Sequence, residues 1–225
     1  RDGYDRTFDW IINNKNYYIF CISMKDYHCF KKAGADESKL LLSANGANHK
    51  RFTYHKEAVL PERSLYLAQI NERKKQWIYQ SIDSIDYVGR IMGQTPFDPK
   101  KNYLGEWSDD HKRAHLGDFA NLVLLSDGEN GTPLVVKEAM ILGLGVVISK
   151  YAAHDLPELP YVTVVPDEKL QDIPYIKEKI QENREASLGR RDEIREFAID
   201  NFSWEGLVKL YAENIEKMEP RSNAN

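Results

Sequence analysis

From residue 65 onward, short apolar runs alternate with helix-length stretches, and this alternation limits the fold more than any other feature of the chain. The runs read as strands at 65–69, 85–89, 122–125, 145–149 and 162–165, with a weaker one at 102–104. Helices are expected over 72–82, 109–118, 132–142, 173–183, 187–201 and 204–218. Strands this short and this uniformly apolar are covered on both faces. They belong to a parallel α/β sheet of Rossmann-like type, with helices on both sides and right-handed crossovers. Ligands of such sheets bind beyond the carboxyl ends of the strands, here the loops after Gln69, Gly89, Leu104, Leu125 and Ser149.

A partial second α/β unit precedes this sheet. After a possible short helix around residues 8–12, residues 18–23 (YIFCIS) read as a buried strand. Ser23 caps a helix over 25–33 that closes at Gly34, residues 39–43 form a second strand, and Asn45-Gly46 make a turn with positive φ available. The stretch 47–63 (ANHKRFTYHKEAVLPER) is mixed, basic and aperiodic, so His49 and His55 within it are expected to be solvated. The expected organisation is an acceptor-side remnant over 1–50, a linker over 51–63, a ligand-binding domain over 64–218 and a disordered tail over 219–225. A first residue of Arg1, with no Met, is what a piece of a longer protein would show.

Composition excludes several function classes. A hydrophobic content of 42% supports a real core, and a formal charge of -4 argues against general nucleic-acid affinity. No apolar run approaches the roughly 18 residues of a membrane span and no signal peptide is visible, so a soluble, cytoplasmic protein is expected. Cys21 and Cys29 have neither CxxC spacing nor histidine partners and read as reduced thiols. There is no GxGxxG after a strand and no GxxxxGK[ST]. His111 and His115 lie one helical turn apart but lack the glutamate of a metalloprotease helix.

The chemistry concentrates in residues 126–149 (SDGENGTPLVVKEAMILGLGVVIS). Thr132 and Pro133 read as a helix start, and the helix stops at Gly143. Leu134, Val135, Val136, Ala139, Met140, Ile141 and Leu142 leave it almost no polar face except Lys137 and Glu138, so it is expected to be buried. The preceding loop, Asp127 to Gly131, delivers polar groups to the positive end of a helix dipole, an arrangement suited to a diphosphate. Taken alone, the same loop reads equally well as a plain connection.

Several pieces in order, residues 39–48 (KLLLSANGAN), 65–75 (LYLAQINERKK), 103–108 (YLGEWS), 122–148 and 202–205 (FSWE), resemble retaining glycosyltransferases of the GT-B fold, family 4, over roughly residues 18–218. The central block is similar to that family's hallmark of two glutamates separated by seven residues, the second opening an Ala-Met helix. The resemblance implies two facing Rossmann-like domains, the C-terminal one binding a UDP- or GDP-type sugar donor, with an N-terminal acceptor domain largely absent from this chain. Transfer to an acceptor hydroxyl would retain anomeric configuration.

By that resemblance Glu138 is the second motif glutamate and holds the ribose hydroxyls, a sound choice because charge-assisted hydrogen bonds are strong in a cleft. Counting back eight gives Asn130, with Glu129 one residue further, so either fills the first position, which contacts the donor sugar. Ala68-Gln69 stand where the family has Gly-Arg. Lys74 fits the family's phosphate-binding lysine, and Arg73 and Lys75 are neighbours able to compensate for the missing arginine; the alternative for all three is a solvated basic run. Gly128, Gly131 and Thr132, with Pro133 and Leu134 opening the helix, would line the donor, and residues 103–107 would approach the base. Leaving-group stabilisation by lysine, N–H groups and helix dipoles demands no bound metal or other cofactor. No DxD follows a strand, Asp109-Asp110 reading as helix caps, and His28 reads as structural. Two alternatives stand beside this reading: a catalytically inactive nucleotide-sugar sensing or assembly module, and another two-domain Rossmann enzyme such as a sugar epimerase.

Overall fold

A first helix, α1 (Asp2–Asn13), leads into a parallel pair, β1 (Ile19–Cys21) and β2 (Leu40–Leu42), joined through α2 (Met24–Lys32). These coordinates are a computed structural model that describes residues 2–14, 17–129, 131–154, 156–216 and 218. Ser23 caps α2 by accepting from the Asp26 N–H, and Gly34 supplies the left-handed residue just past its end. Cys21, Leu40 and Ala35 form a small core beneath Tyr27 and Phe30.

The main sheet contains β3 (Leu60–Leu67), β4 (Ile85–Val88), β5 (Phe119–Leu124), β6 (Gly145–Ser149) and β7 (Val162–Val165), all parallel, in the order β4-β3-β5-β6-β7. Tyr103 adds a single parallel bridge outside β4 at Tyr87. The order reverses between β3 and β5, so the switch-point crevice lies between the loops that follow them. Every residue of β5 and β6 is buried, and their apolar stretches at 122–124 and 146–148 are what reads as strand; β5 itself begins three residues before the expected 122 and includes the buried Asn121.

Around the sheet lie α3 (Asp109–His115), α4 (Leu134–Ile141), α5 (Ile173–Leu188), α6 (Arg191–Phe202) and α7 (Trp204–Glu216). Buried polar groups fix these layers. Asn183 of α5 donates to the Val146 and Tyr161 carbonyls and accepts from the Asn121 amide. Gly145 leaves the room: a Cβ there would lie 2.5 Å from Ser187 Oγ. Arg191, fully buried, donates to the carbonyls of His55, Gly117, Phe119 and Leu142 and so satisfies the end of α4 and the start of β5. Returning to the first unit, α7 places the Tyr211 hydroxyl 2.9 Å from the Ser43 carbonyl and the ring 5.8 Å from Phe20.

Several expectations need correction. No regular α-helix spans 72–82; a short 3₁₀ turn occupies Gln76–Tyr79, because Lys75 is left-handed at φ 51° and Gln76 turns inward to the Gln69 carbonyl. Helices α5 and α6 break at Gly189, not before Ser187. Strand β3 begins at Leu60 and passes through Pro61, which is tolerated because β4 pairs only from Ser64 onward and the β5 register shifts between Leu60 and Ser64. Gly46 does not take a positive φ; a Cβ there would strike Leu207, Trp204 and the Phe202 carbonyl, so it serves close packing. His55 is 3.1 Å from Asp118 and His49 is 3.8 Å from Glu205, so neither is simply solvated. The tail expected over 219–225 lies outside the described residues.

Candidate functional site

The loops after β3 and β5 are bound to each other across the switch point. Tyr66, buried in β3, accepts from the Leu125 N–H at 3.1 Å and donates to the Lys74 carbonyl at 2.6 Å, and the Asp127 N–H donates to the Arg73 carbonyl at 3.1 Å. Nothing in the sequence singled out Tyr66; its hydroxyl is the hinge pin of both loops.

On this frame sits a charged clasp. The Glu129 carboxylate accepts from Lys74 in a short contact, from Arg73 at 3.0 Å and from Ser126 Oγ at 2.6 Å. Burial acts to raise the Glu129 carboxyl, but the hydrogen bonds from Lys74 and Ser126 and the two cations outweigh it and hold it below its ordinary range. Lys74 is itself buried, and desolvation pulls its ammonium below the ordinary lysine range in spite of Glu129. Beside it Lys75 pairs with Asp127 in another short contact. All three cations are paired, but only Lys74 is buried; Arg73 and Lys75 stay substantially solvent-exposed, as the alternative of a solvated basic run has it.

The second cluster is set by α4. Its first turn differs from expectation: the helix starts at Leu134, Pro133 occupies the cap position without a side-chain bond, and Pro133 ψ is 147°. Thr132 is thus displaced from the cap, and its Oγ1 is buried with no hydrogen-bond partner among the described residues. A buried hydroxyl left open in this way calls for an explanation. Gly131, at φ 79°, turns the chain into Thr132, and Leu134 is 45% exposed at the helix mouth.

Lys137 and Glu138, the polar exceptions on α4, are both buried. Lys137 reaches the Asn45 carbonyl at 2.9 Å. Glu138 takes both of its hydrogen bonds from Lys112 of α3, at 3.0 Å and 3.2 Å. Burial pushes the Glu138 carboxyl up, with Lys112 working in the opposite direction. Lys112 is a residue sequence reasoning missed; it lies 26 positions away in the chain, and no local pattern marks the partnership.

Lys75 and Gly128 line a crevice of about 670 Å³ together with Tyr151, Asp167 and Glu168. Glu138 is not among its lining residues. Gln69 is exposed at the end of β3, and its carbonyl accepts from Gln76. Asn130 lies outside the described residues. Among the described residues no group of three or more metal-ligating side chains comes together, and no helix is long and apolar enough to cross a membrane.

Searches by sequence match no family model and no curated protein. Comparison of the fold is informative. The Anabaena protein HepE in complex with UDP superposes with a TM-score of 0.74 at 14% identity, over 95% of this chain and 68% of that one. TarM gives 0.72 at 14% identity over 95% and 46%. Sucrose-phosphate synthase from Thermosynechococcus elongatus gives 0.67 at 16% over 94% and 61%. The fold is that of the GT-B glycosyltransferases. The chain spans 66% of the length of HepE in its complex with UDP-glucose and under half of TarM.

Proposed function

We propose that this chain carries the donor site of a retaining glycosyltransferase that uses a UDP- or GDP-type sugar, with residues 1–50 on the acceptor side. The observation that carries the reading is Glu138: a buried carboxylate supported by one lysine, on the helix that follows the switch-point loop. Two ribose hydroxyls are suitable partners, since a carboxylate has lone pairs beyond those Lys112 occupies. Solved structures of the same fold hold UDP and UDP-glucose, in the Anabaena protein.

In this reading the N–H groups of Gly128, Gly131 and Thr132 face the diphosphate or sugar, at the positive end of α4. The open Thr132 hydroxyl finds its partner there. A diphosphate competes with Glu129 for Lys74 and Arg73. Once it wins, Lys74 stabilises the departing phosphate and Glu129 is released toward the sugar, the role that falls to Asn130 if the motif is counted back eight from Glu138. Gln69, Pro133 and Leu134 complete the wall. The step itself forms a bond between the acceptor oxygen and the anomeric carbon and breaks the bond from that carbon to phosphate. The electron pair departs with the nucleoside diphosphate, and the acceptor proton goes to the leaving phosphate or to water. Nothing in this scheme demands a resident metal.

A second reading has its own observation. Arg73 and Lys74 share the single carboxylate of Glu129, Lys75 pairs with Asp127, and Gln69 stands where a further cation would help, so much of the local positive charge is already engaged, an arrangement compatible with a binding module that does no chemistry. The full-length gene product, incubated with UDP- and GDP-sugars and followed by proton NMR, separates the two. Release or transfer of sugar with the donor's anomeric configuration, lost in Glu138→Ala, supports the transferase; nucleotide binding without turnover supports the module. Products of inverted configuration would overturn the retaining assignment.

A further inference from the structure

Two cavities of about 370 Å³ and 470 Å³ share Met24 and His154 and so form one groove, separate from the switch-point crevice. One wall is the carboxyl edge of the small sheet: Ile22 follows β1 and Leu42 ends β2. The other wall is the segment after β6, with Leu156 and Pro157, which is the carboxyl edge of the large sheet. Ligand edges of two α/β sheets thus bound the same groove.

Its two ends differ in chemistry. Ile22, Met24 and Leu42 are 40%, 42% and 38% exposed, a contiguous row of large apolar side chains turned to open space where a sheet edge ordinarily carries polar groups. The other end is lined by Lys25, His28 and Lys32, and no carboxylate is among the described residues that line either cavity. Lys32 has no carboxylate partner among the described residues. Lys25 donates to the main-chain carbonyl of Glu129 at 3.4 Å, which fixes the direction of the groove: from apolar end, to cationic end, to the loop that holds the donor. An ammonium has three donors, so this contact leaves Lys25 able to bind an anion as well.

We propose that this groove seats the acceptor and that the acceptor is amphipathic. An aliphatic chain lies on Ile22, Met24 and Leu42, and a phosphate-type group beside Lys25, His28 and Lys32 carries the receiving hydroxyl toward residues 128–132. A plain polyol would leave the apolar row exposed, and a plain hydrocarbon would leave the cations without a counter-charge. The inference rests on the transferase reading, because only that reading requires a second substrate at the Glu129 loop.

Calorimetric titration with octyl phosphate below its micellar concentration tests the proposal, with inorganic phosphate and octanol as comparison ligands. Binding about tenfold tighter than either comparison ligand is expected, because the chain and the charge each add to affinity. Leu42→Glu, an exposed change that leaves the core intact, should weaken octyl phosphate about tenfold, as should Lys25→Ala with Lys32→Ala, while circular dichroism stays unchanged. Equal binding of inorganic phosphate, or full affinity in these variants, would overturn the proposal. So would a concentration-dependent dimer that Leu42→Glu dissociates, since the groove would then be an interface between two copies. UDP and GDP are titrated into the same preparations. Binding of either nucleotide without octyl phosphate binding refutes the acceptor class alone; failure of both removes the donor reading, and the acceptor assignment falls with it.

Discussion

Replacing Lys112 with Met isolates the ion pair between the half-buried Lys112 and the buried Glu138 on which the candidate site depends. Lys112 supplies both hydrogen bonds of the Glu138 carboxylate, at 3.0 Å and 3.2 Å. A hydrogen bond to a charged group contributes about 1.5–3 kcal/mol, so the bare carboxylate would cost roughly that much. Glu138 has an escape, because burial already pushes its carboxyl above the ordinary range and it can take up a proton. The expected loss at neutral pH is therefore about 2 kcal/mol, or about 4–8 °C in Tm for a chain of this size. The sign with pH follows. With both groups protonated or paired in acid the penalty is small, and it grows as pH rises above the ordinary carboxylate range, where an ionised Glu138 would be stranded. Urea denaturation of wild type, Lys112→Met, Glu138→Gln and the double variant at neutral pH gives the coupling, expected at about 1–2 kcal/mol. Strict additivity, within about 0.3 kcal/mol, would refute the claim that Lys112 holds Glu138.

Other consequences can be checked separately. Nucleotide affinity should fall in acid as Glu138 takes a proton, beginning at higher pH than for an ordinary glutamate because its carboxyl is pushed up, and Lys112→Met should move that fall higher still; a calorimetric pH series reads both. Arg191→Met should destabilise the fold by about 4 kcal/mol, since four carbonyls lose their donor and each stranded buried group costs of order 1 kcal/mol; chemical denaturation measures it. Gly89→Ala should cost about 2 kcal/mol or more and weaken nucleotide binding as well, because φ is 141° and a Cβ would lie 1.9 Å from the Ala68 carbonyl oxygen where β3 and β4 end; a variant as stable as wild type would contradict the strain.

What the sequence made legible follows its periodicity. Strands β5 and β6 and the burial of α4 were readable because their predominantly apolar runs have one stable environment, a sheet interior between helices, while the start of β5 before the buried Asn121 was missed. The stretch ERKKQWIYQ looked helical because its residues favour helix, yet Lys74 turns inward to Glu129 and Gln76 to the Gln69 carbonyl, and these long-range contacts override propensity. Thr132-Pro133 looked like a cap, and the extended Pro133 moved the helix start beyond it. The Lys112–Glu138 pair and the Tyr66 hinge had no local signal at all, because each joins segments brought together only by the crossovers.

The most direct test of the donor-site claim is calorimetric titration of the protein and of Glu138→Ala with UDP and GDP. The account predicts that one of the two binds wild type with a stoichiometry of about one and at least tenfold more tightly than it binds the variant, as expected when a charge-assisted contact to the ribose is removed. Equal affinity for wild type and variant, or no binding of either nucleotide, would contradict it.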